Sequence, residues 1–519
     1  MSPRTQARAR WRGHPHRRAK YVPSRTQCVG IAFLACIIFF YLKASPVVLT
    51  GHPLPDASIS GPESDRGLRN GRHGQGGTPA AGDGDADSAE PVETGWRGVA
   101  ADIPSKARHE DDIHIVFSTD CSPFQNYQSL LLMYSAQATG QKGGITRVAS
   151  GCTAEEKEEL RLLMEKQPGN CRVHFTPDYS ADPNTGERYP YYNKPNGMAH
   201  FLRNAEHPVT EAAIALLDPD MVLMQKLTPY IGDPELMQWL DASIHSAIPF
   251  VQDWGDWLEE GLPIGQAYGL SGRWAAWPDL AWVMEPVGGE QSPATKYSAA
   301  EADALFAVGP PYIMHPRDWM RVIDLWALMC PRTNQKHPGI LAEMYGFCVA
   351  AAHLRMHHRT SRGLMVSDSK SLHTREAWPL VSAALDETTV CQAELPTTPA
   401  ARRLPPVLHY CQCYRIGTYM WAKRRPEIQE KFFTCGADAY ELPPPDYLLG
   451  PMGRVRIHPD SRRQGSREEI DHARALREAY MVCAVLRSMN AAQGGHKRLY
   501  CKEDEVSGGV VRLTDLPRR

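Results

Sequence analysis

Two aspartates one residue apart follow an apolar run near the middle of the 519-residue chain. The segment IALLDPDMVLM places Asp218 and Asp220 where a predicted buried strand ends. Carboxylates only accept hydrogen bonds, and they repel one another unless a cation lies between them. Alternate residues of an extended turn point to one side, and Pro219 fixes the backbone between these two. Such oxygen ligands suit Mn²⁺ or Mg²⁺ bound to a diphosphate, whereas a simple turn with solvated carboxylates is the alternative.

The surrounding sequence predicts the elements that must position this turn. Buried strands are predicted at 113–117, 145–150, 171–175 and 212–217, and amphipathic helices at 129–139, 154–166 and 197–205. Alternation of strands and helices predicts an α/β fold with a mostly parallel sheet flanked by helices. Such sheets bind ligands beyond the carboxyl ends of their strands. Asp218 and Asp220 are predicted to lie at that edge.

Two basic residues have contexts that suit a phosphate group. Arg147 follows two glycines in GGITR, where a flexible backbone and a fixed cationic fork suit a diphosphate or the edge of uracil. A tight turn with a solvated arginine is the alternative. Lys194 lies in YYNKPNG at a predicted helix start, where it either meets phosphate or remains a surface lysine.

Composition divides the chain into five segments. A basic arm at 1–27 precedes an uncharged apolar run at 28–43, which predicts a transmembrane signal anchor; a cleaved signal peptide is the alternative. Residues 44–108 are rich in Gly and Pro and predict a flexible, disordered stem. The α/β domain is expected at 109–430, and a C-terminal extension with one amphipathic helix is expected at 431–519.

The anchor sets an expectation for the compartment. Basic residues before an anchor stay cytosolic, so a single-pass type II protein of the Golgi or ER–Golgi membrane with a lumenal domain is predicted. Most of the 13 cysteines follow the anchor and favour disulfides in a lumen. A net charge of −2 gives no electrostatic reason to expect a nucleic-acid partner.

Six motifs occur in one order between residues 111 and 425. They are FSTDCSPFQNYQSLLLMYSAQATGQKGGITRVASG, YPYYNKPNGMAHFL, ALLDPDMVLM, VGPPYIM, LAEMYGFCVAAAH and VLHY. Together they resemble the hydroxyproline O-arabinosyltransferase family and its relatives, the peptidyl-serine α-galactosyltransferases. The resemblance implies a GT-A-like fold with a membrane anchor, a UDP-sugar donor, and Mn²⁺ or Mg²⁺.

The resemblance implies one function and leaves others open. The first is transfer of L-arabinofuranose, with retained configuration, to hydroxyproline in secreted or cell-wall proteins. The alternatives are galactosyl transfer to peptidyl serine and a non-catalytic lumenal protein that binds Hyp/Ser-rich chains. The galactosyltransferase branch typically reads DAD and the arabinosyltransferase branch EPD at this turn, so Asp218 resembles the former and Pro219 the latter.

The resemblance also implies a donor-binding set. Thr119 and Asp120 finish the first predicted strand, where GT-A folds seat the nucleoside. A helix N-cap is the alternative for Asp120. Arg147 and Lys194 complete the set of residues expected to contact the UDP-sugar.

The resemblance also implies metal-binding residues and a catalytic residue. Asp218 and Asp220 are the expected metal ligands, with His409 in VLHY as a third ligand, and a core histidine is the alternative for His409. Glu343, at the start of a predicted apolar helix, is the candidate catalytic residue in contact with the acceptor hydroxyl or the donor sugar. A favourable interaction with the helix dipole is a sufficient structural alternative for that acid.

Overall fold

We describe the protein from a computed structural model, in which the described residues are 95–167, 169–230, 257–370, 376–391, 404–417, 419–444, 455–457, 467–469, 471–506 and 508–511. The predicted basic arm and signal anchor, and residues 44–94 of the predicted stem, lie outside this set. No helix among the described residues has both the length and the apolar character needed to cross a bilayer.

The described strands fall into one large sheet and four small ones. In chain order the strands are β1 Ile113–Thr119, β2 Ile145–Ser150, β3 Cys171–Thr176, β4 Ala213–Leu217, β5 Met221–Leu223, β6 Ile264–Ala267, β7 Val308–Met314, β8 Arg359–Ser361, β9 Met365–Val366, β10 Val407–His409, β11 Tyr414–Ile416, β12 Tyr419–Trp421, β13 Ala439–Tyr440, β14 Val455–Ile457, β15 Arg467–Glu469 and β16 Val510–Val511. The large sheet has the order β3-β2-β1-β4-β7-β6-β8. Strands β1 to β4 are parallel, whereas β7 runs antiparallel to both of its neighbours. The predicted α/β fold with a mostly parallel sheet is confirmed.

Helices cover both faces of this sheet. They are α1 Pro123–Ala138, α2 Ala154–Glu165, α3 Asn193–Asn204, α4 Leu280–Val283, α5 Ala299–Phe306, α6 Pro316–Lys336, α7 Ala342–His353, α8 Trp378–Ala384, α9 Pro426–Phe432 and α10 His472–Tyr500. Side chains of β1 alternate between two hydrophobic cores, with Ile115 and Phe117 in one and Val116 in the other. The first core is covered by α1 and α10 and the second by α3, α6 and α7, so β1 is buried on both sides, as its unbroken apolar run predicts.

The folded region begins before residue 109, where the sequence placed the end of the stem. Val99 pairs with Val209 beside β4, and Ile103 and Ala107 are buried in the first core. The N–H of Ala107 donates to the carbonyl oxygen of Leu258 at 2.8 Å. The composition of residues 95–108 is that of a linker, but a few apolar side chains suffice to hold the segment against the domain.

The predicted C-terminal helix packs on the domain. It spans 472–500 and packs against α1 and β11. Tyr480, Val482 and Leu486 are buried in the first core. Disulfide Cys391–Cys483 ties the interior of this helix, and Cys435–Cys501 its C-terminal end, to preceding segments, and Cys121–Cys152 joins the ends of β1 and β2.

Glu211, just before β4, provides a pH-dependent contribution to stability. Its carboxylate lies 3.2 Å from Nδ1 of His114 and accepts a hydrogen bond from the N–H of Gly144 at 2.8 Å. Burial raises the pKa of Glu211, but His114 and the N–H of Gly144 outweigh burial and lower the pKa from 4.5 to about 2. Because the folded pKa is the lower one, the stabilisation is complete above about pH 4.5 and is lost as the pH falls towards 2.

We expect Glu211→Gln to lower the free energy of unfolding at pH 7 by on the order of 3 kcal/mol. We also expect the variant to flatten the loss of stability between pH 5 and pH 3. Urea denaturation at several pH values measures both effects, with Glu206→Gln as the control because Glu206 is exposed. Equal pH dependence in wild type and Glu211→Gln would exclude this role.

Candidate active site

The two aspartates lie where the chain passes from the large sheet to a small one. Strand β4 ends at Leu217, and the N–H of Met221 donates to the carbonyl oxygen of Asp218 at 3.2 Å, which closes a turn. Strand β5, which begins at Met221, belongs to the three-stranded sheet β5-β10-β9. Asp218 and Asp220 therefore lie at the junction of two sheets, beyond the carboxyl end of β4.

Pairing between β5 and β10 brings His409 to this junction. The two strands are antiparallel with His409 opposite Met221, and the N–H of Tyr410 donates to the carbonyl oxygen of Asp220 at 3.0 Å. One ligand atom from each of Asp218, Asp220 and His409 lies within 4.8 Å of the other two. The three residues that the sequence proposed as metal ligands are thus close together.

These three side chains have the chemistry of a divalent-cation site. Two carboxylates and one imidazole suit Mn²⁺ better than a soft metal, which prefers thiolates. Asp220 and His409 are buried. The hydroxyl of Tyr268 lies 3.1 Å from Nδ1 of His409, so it can fix the ring while Nε2 faces Asp220 at 3.1 Å.

Tyr268 reaches His409 because a glycine lies beneath its ring. A Cβ atom on Gly309 of β7 would lie 2.2 Å from the ring of Tyr268, which is far closer than carbon atoms approach one another. The glycine in the VGPPYIM motif is therefore required by this close approach.

Lys423 is a second cation at Asp220 that the sequence did not single out. Its ammonium group forms an ion pair with Oδ2 of Asp220, while Oδ1 of Asp220 faces His409. Burial raises the pKa of Asp220, but Lys423 and His409 outweigh burial and hold the pKa well below its usual range. The carboxylate therefore stays ionised.

The position of Lys423 depends on a short hairpin. Lys423 follows β12, which pairs with β11 directly after His409 in the chain. The run AKRRP after β12 is a basic sequence with no spacing that links it to the aspartates. The only sequence signal for Lys423 is its closeness to His409 along the chain.

Lys194 is buried between two acids. Its Nζ lies 2.8 Å from Oδ1 of Asp218 and 3.2 Å from Oε2 of Glu343. The alternative of a surface lysine is wrong, because the residue is only 8% exposed. Burial lowers the pKa of Lys194, but the two carboxylates outweigh burial and raise it above its usual range, so the side chain stays charged.

Glu343 lies in the first turn of α7 and is buried with Lys194. Burial raises the pKa of Glu343 to about 7, and Lys194 opposes this shift. The N–H of Glu343 donates to the hydroxyl of Tyr189 at 3.3 Å. Oε1 of Glu343 is buried and has no hydrogen-bond partner in the described part of the chain. A hydroxyl group of a bound ligand would satisfy this oxygen.

The remaining candidates lie at the end of β1. Arg147 is fully buried in β2 and donates to Oγ1 of Thr119, the carbonyl oxygen of Asp120 and Oδ1 of Asn126, each at 2.8 Å. Arg147 therefore holds the loop after β1, and the alternative of a solvated arginine is wrong. Asp120 is exposed and caps no helix, because the N-cap of α1 is Ser122.

These residues lie at the same edge of the sheet as the aspartates. Strands β1 and β4 are parallel neighbours with Phe117 opposite Leu217, so Thr119 and Asp218 leave the sheet side by side. The structure thus brings the expected donor-binding and metal-binding residues to one edge, with Arg147 acting through the loop that it holds.

Helix α10 braces the hairpin that carries Lys423. The carboxylate of Glu478 is buried and accepts hydrogen bonds from Oγ of Ser369 at 2.9 Å and from the N–H of Arg415 at 2.8 Å. Tyr414, the neighbour of Arg415, donates its hydroxyl to the carbonyl oxygen of His409 at 3.0 Å. The C-terminal helix therefore stabilises the backbone that positions His409.

We expect Glu478→Ala to lower the free energy of unfolding by about 3 kcal/mol, because it leaves the buried hydroxyl of Ser369 and the partly buried N–H of Arg415 without their acceptor. We also expect faster tryptic cleavage after Lys423, because the hairpin loosens. Urea denaturation and limited proteolysis measure these effects, and Glu503→Ala on the exposed chain after α10 is the control. Wild-type stability and cleavage in Glu478→Ala would contradict the bracing role.

Comparisons with known proteins relate the chain to glycosyltransferases. No family model matches it. The chain is 25% identical over 267 residues to the peptidyl serine alpha-galactosyltransferase of Arabidopsis thaliana, and 26% identical over 276 residues to that of Chlamydomonas reinhardtii. These matches cover 49% and 50% of this chain but only 27% and 32% of the relatives. The chain thus spans about a third or less of the length of these two relatives.

Solved structures resemble the chain more weakly. The bifunctional glycosyltransferase WbbM in its apo form matches with a TM-score of 0.32 at 10% identity, over 61% of this chain and 47% of that protein. The galactosyltransferase LgtC with donor and acceptor sugar analogues matches with a TM-score of 0.29 at 12% identity, over 58% and 87%. At these TM-scores the likeness supports no statement about function.

Proposed function

We propose that this chain is a glycosyltransferase that moves a sugar from a UDP-sugar to a hydroxyl group of a protein, with Mn²⁺ or Mg²⁺ held by Asp218, Asp220 and His409. The observation that carries the proposal is the cluster of these three side chains at the carboxyl edge of a mostly parallel sheet. The proposal includes a GT-A-like fold for the chain and a metal-dependent reaction. Similarity to two peptidyl serine alpha-galactosyltransferases supports it.

The charges around the cluster suit a diphosphate. Two ammonium groups, of Lys194 and Lys423, face the carboxylates of Asp218, Asp220 and Glu343. The site therefore holds at most one uncompensated negative charge. A bound divalent cation would reverse this balance and stabilise the negative charge that develops on a departing diphosphate.

Three side chains of the site are proposed to position the reacting groups. Lys194 keeps Asp218 and Glu343 from repelling one another and fixes both carboxylates. The side chain of Lys423 is 23% exposed, so its ammonium group can donate a hydrogen bond to a phosphate oxygen beside Asp220. The unsatisfied Oε1 of Glu343 would orient a hydroxyl of the donor sugar or of the acceptor.

Retention of the sugar's configuration belongs to the same proposal. In same-face attack the acceptor oxygen bonds to the anomeric carbon while the bond to the phosphate oxygen breaks, and that oxygen takes the acceptor proton. Such a reaction needs no separate base. Glu343 is a further carboxylate beside the cluster, and it is already paired with Lys194.

Two donor and acceptor pairs compete within this proposal. The order of sequence motifs resembles enzymes that transfer arabinofuranose to hydroxyproline, whereas the two relatives act on peptidyl serine. The latter observation favours galactosyl transfer to serine as the second candidate. A lumenal location in the Golgi, with the chain anchored in the membrane, is also proposed, and the three disulfides are consistent with it.

Donor hydrolysis tests the proposal. The purified chain would be incubated with Mn²⁺ or Mg²⁺ and separately with UDP-arabinofuranose, UDP-galactose and UDP-xylose, and UDP release would be measured with and without peptides that contain serine or hydroxyproline. Metal-dependent release from one donor, increased by one peptide, is the expected result. Absence of UDP release under all these conditions would refute the transferase function and favour the binding-protein alternative.

A further inference from the structure

A disulfide lies at the carboxyl edge of the large sheet, beside the candidate active site. Cys121 is in the loop after β1, and Cys152 lies two residues after β2. The Cα atoms of the two cysteines are 5.4 Å apart. Thr119, the last residue of β1, leaves the sheet beside Asp218. The disulfide therefore fastens a loop that lies next to the metal cluster.

Cys121 lies between two residues that bond to each other. The carboxylate of Asp120 accepts hydrogen bonds from the N–H of Ser122 at 2.9 Å and from its hydroxyl at 2.5 Å. Ser122 is also the N-cap of α1. A displacement of Cys121 therefore moves both the exposed carboxylate of Asp120 and the start of α1.

Helix α1 connects this loop to the metal cluster. The hydroxyl of Tyr127 donates to the carbonyl oxygen of Lys423 at 2.5 Å, and the guanidinium group of Arg424 lies 4.9 Å from the centroid of the Phe124 ring. Lys423 forms the ion pair with Asp220. Contacts therefore run without a break from the disulfide, through the first two turns of α1, to the metal cluster.

The other end of the disulfide is fixed by its neighbours. The N–H of Gly151 donates to the carbonyl oxygen of Thr176 at 3.0 Å, and the hydroxyl of Thr176 donates to Oγ of Ser150 at 2.8 Å. Thr153, directly after Cys152, forms the capping box of α2. Both cysteines pack in a small hydrophobic cluster beside α2, and neither is part of the two large cores. Loss of the disulfide therefore frees the loop after β1 and leaves the large cores in place.

We propose that the Cys121–Cys152 disulfide positions the loop after β1 for the donor nucleotide, so that affinity for the donor depends on the redox state of the two cysteines. The proposal rests on the transferase function proposed above and adds a regulation of its site. An ordered loop loses little conformational freedom when a ligand binds, whereas a loop freed by reduction must first be ordered, at a cost in affinity.

Reduction proceeds by thiol–disulfide exchange with a dithiol. Cys152 is the more exposed of the two cysteines, so a thiolate of the dithiol attacks its sulfur and displaces the thiolate of Cys121. The second thiol of the reagent then displaces Cys152 and closes the reagent's own disulfide. Two electrons and two protons pass to the cysteines. In the oxidising lumen proposed for the domain, the reverse reaction forms the disulfide and gives the chain its full donor affinity.

A matched pair of double variants tests the proposal. Cys121→Ser, Cys152→Ser removes this disulfide, and Cys435→Ser, Cys501→Ser removes one whose cysteines are 66 residues apart instead of 31. Titration calorimetry would measure Kd for UDP with Mn²⁺ on the full chain, and donor turnover would give KM and kcat. We expect the first variant to raise Kd and KM about tenfold, with kcat within about twofold of wild type.

The second variant separates positioning from stability. It removes the disulfide that closes the longer loop, so its loss of stability should be at least as large, yet its Kd for UDP should equal that of wild type. Equal Kd in wild type and Cys121→Ser, Cys152→Ser would overturn the proposal. An equal rise of Kd in both double variants would also overturn it, because a general loss of stability would then account for the weaker binding.

The wild-type chain provides a second test that does not depend on the folding of a variant. Alkylation and mass spectrometry would measure the reduced fraction of each cysteine pair in dithiothreitol buffers of known potential, with and without saturating UDP and Mg²⁺. Because linkage is reciprocal, a tenfold difference in UDP affinity should lower the midpoint potential of Cys121–Cys152 by about 30 mV when UDP is bound. The midpoint of Cys435–Cys501 should not change. Equal midpoints of Cys121–Cys152 with and without UDP would refute the coupling.

Failure of the positioning role and failure of the transferase function give different results. If wild type binds UDP with metal and releases UDP from a donor, but removal of the Cys121–Cys152 disulfide leaves Kd unchanged, the positioning proposal fails alone. If wild type neither binds UDP nor turns over any donor with Mn²⁺ or Mg²⁺, the transferase function fails and the positioning proposal fails with it.

Discussion

Asp220→Asn is expected to reduce metal-dependent UDP release by at least about a hundredfold. Asp220 supplies a buried carboxylate that faces His409 through one oxygen and Lys423 through the other. Asparagine has the same shape but no charge, so it removes one of two anionic ligands. Its amide group would also donate towards a lysine or an imidazole, which weakens the cluster further. Affinity for Mn²⁺, measured by titration calorimetry, should fall with activity.

The variant should remain folded. Loss of the Asp220 charge leaves Lys423 without its partner, but the lysine side chain is 23% exposed and can be hydrated. We expect a loss of about 2 kcal/mol in the free energy of unfolding, less than for a fully buried pair. Asp318→Asn is the control, because Asp318 is buried beside Gly261 and away from the cluster. Turnover in Asp220→Asn within tenfold of wild type would refute the site assignment.

Lys194→Met is expected to have the largest effect on stability. The buried ammonium group lies between Asp218 and Glu343, and methionine fills a similar volume without charge. The buried carboxylate of Glu343 and the partly buried carboxylate of Asp218 would then lie close together without a cation. We expect the free energy of unfolding to fall by about 3–5 kcal/mol. Urea denaturation at pH 7, monitored by circular dichroism, measures this loss.

The double variant Lys194→Met, Glu343→Gln separates charge repulsion from lost packing. Removing the charge of Glu343 relieves most of the repulsion, so the double variant should be more stable than Lys194→Met alone. The coupling between the two substitutions should exceed about 1 kcal/mol. A double variant no more stable than Lys194→Met would show that Lys194 contributes through packing and not through the ion pairs.

The large sheet could be predicted because its strands are marked by local patterns. The apolar runs of β1 to β4 are continuous, and the helices between them have clear periodicity. Thr153 caps α2 and forms a capping box with Glu156. Strands β6, β7 and β8 were not predicted. Short strands with Gly, Gln or Arg resemble loops until their neighbours pair with them, and β7 contains two prolines, which are rare inside sheets.

The cluster of Asp218, Asp220 and His409 could be anticipated only in part. The aspartates are separated only by Pro219 and follow a strand, so their position at the sheet edge follows from local pattern. His409 lies 189 residues from Asp220, and its place depends on the register of β10 on β5. The motif VLHY pointed to it through resemblance alone.

The sequence could not reveal the partners of the charged side chains. Lys194 is at a helix start, where lysines are usually solvated, and it is buried because Asp218 and Glu343 arrive from two distant segments. Arg147 has the composition of a phosphate-binding residue, yet it bonds to Thr119 and to the backbone after β1. Long-range pairing of this kind is decided by tertiary packing and leaves no local pattern.

The order in which the core is completed has a consequence for synthesis in the cell. Helix α10 is translated long after β1 and α1, yet it supplies one side of the core that also contains them. Until it emerges, the nascent domain exposes that apolar face to solvent. Folding of this core must therefore wait until α10 has been translated, and a stop codon shortly before residue 472 should yield a polypeptide that chaperones retain and proteases degrade.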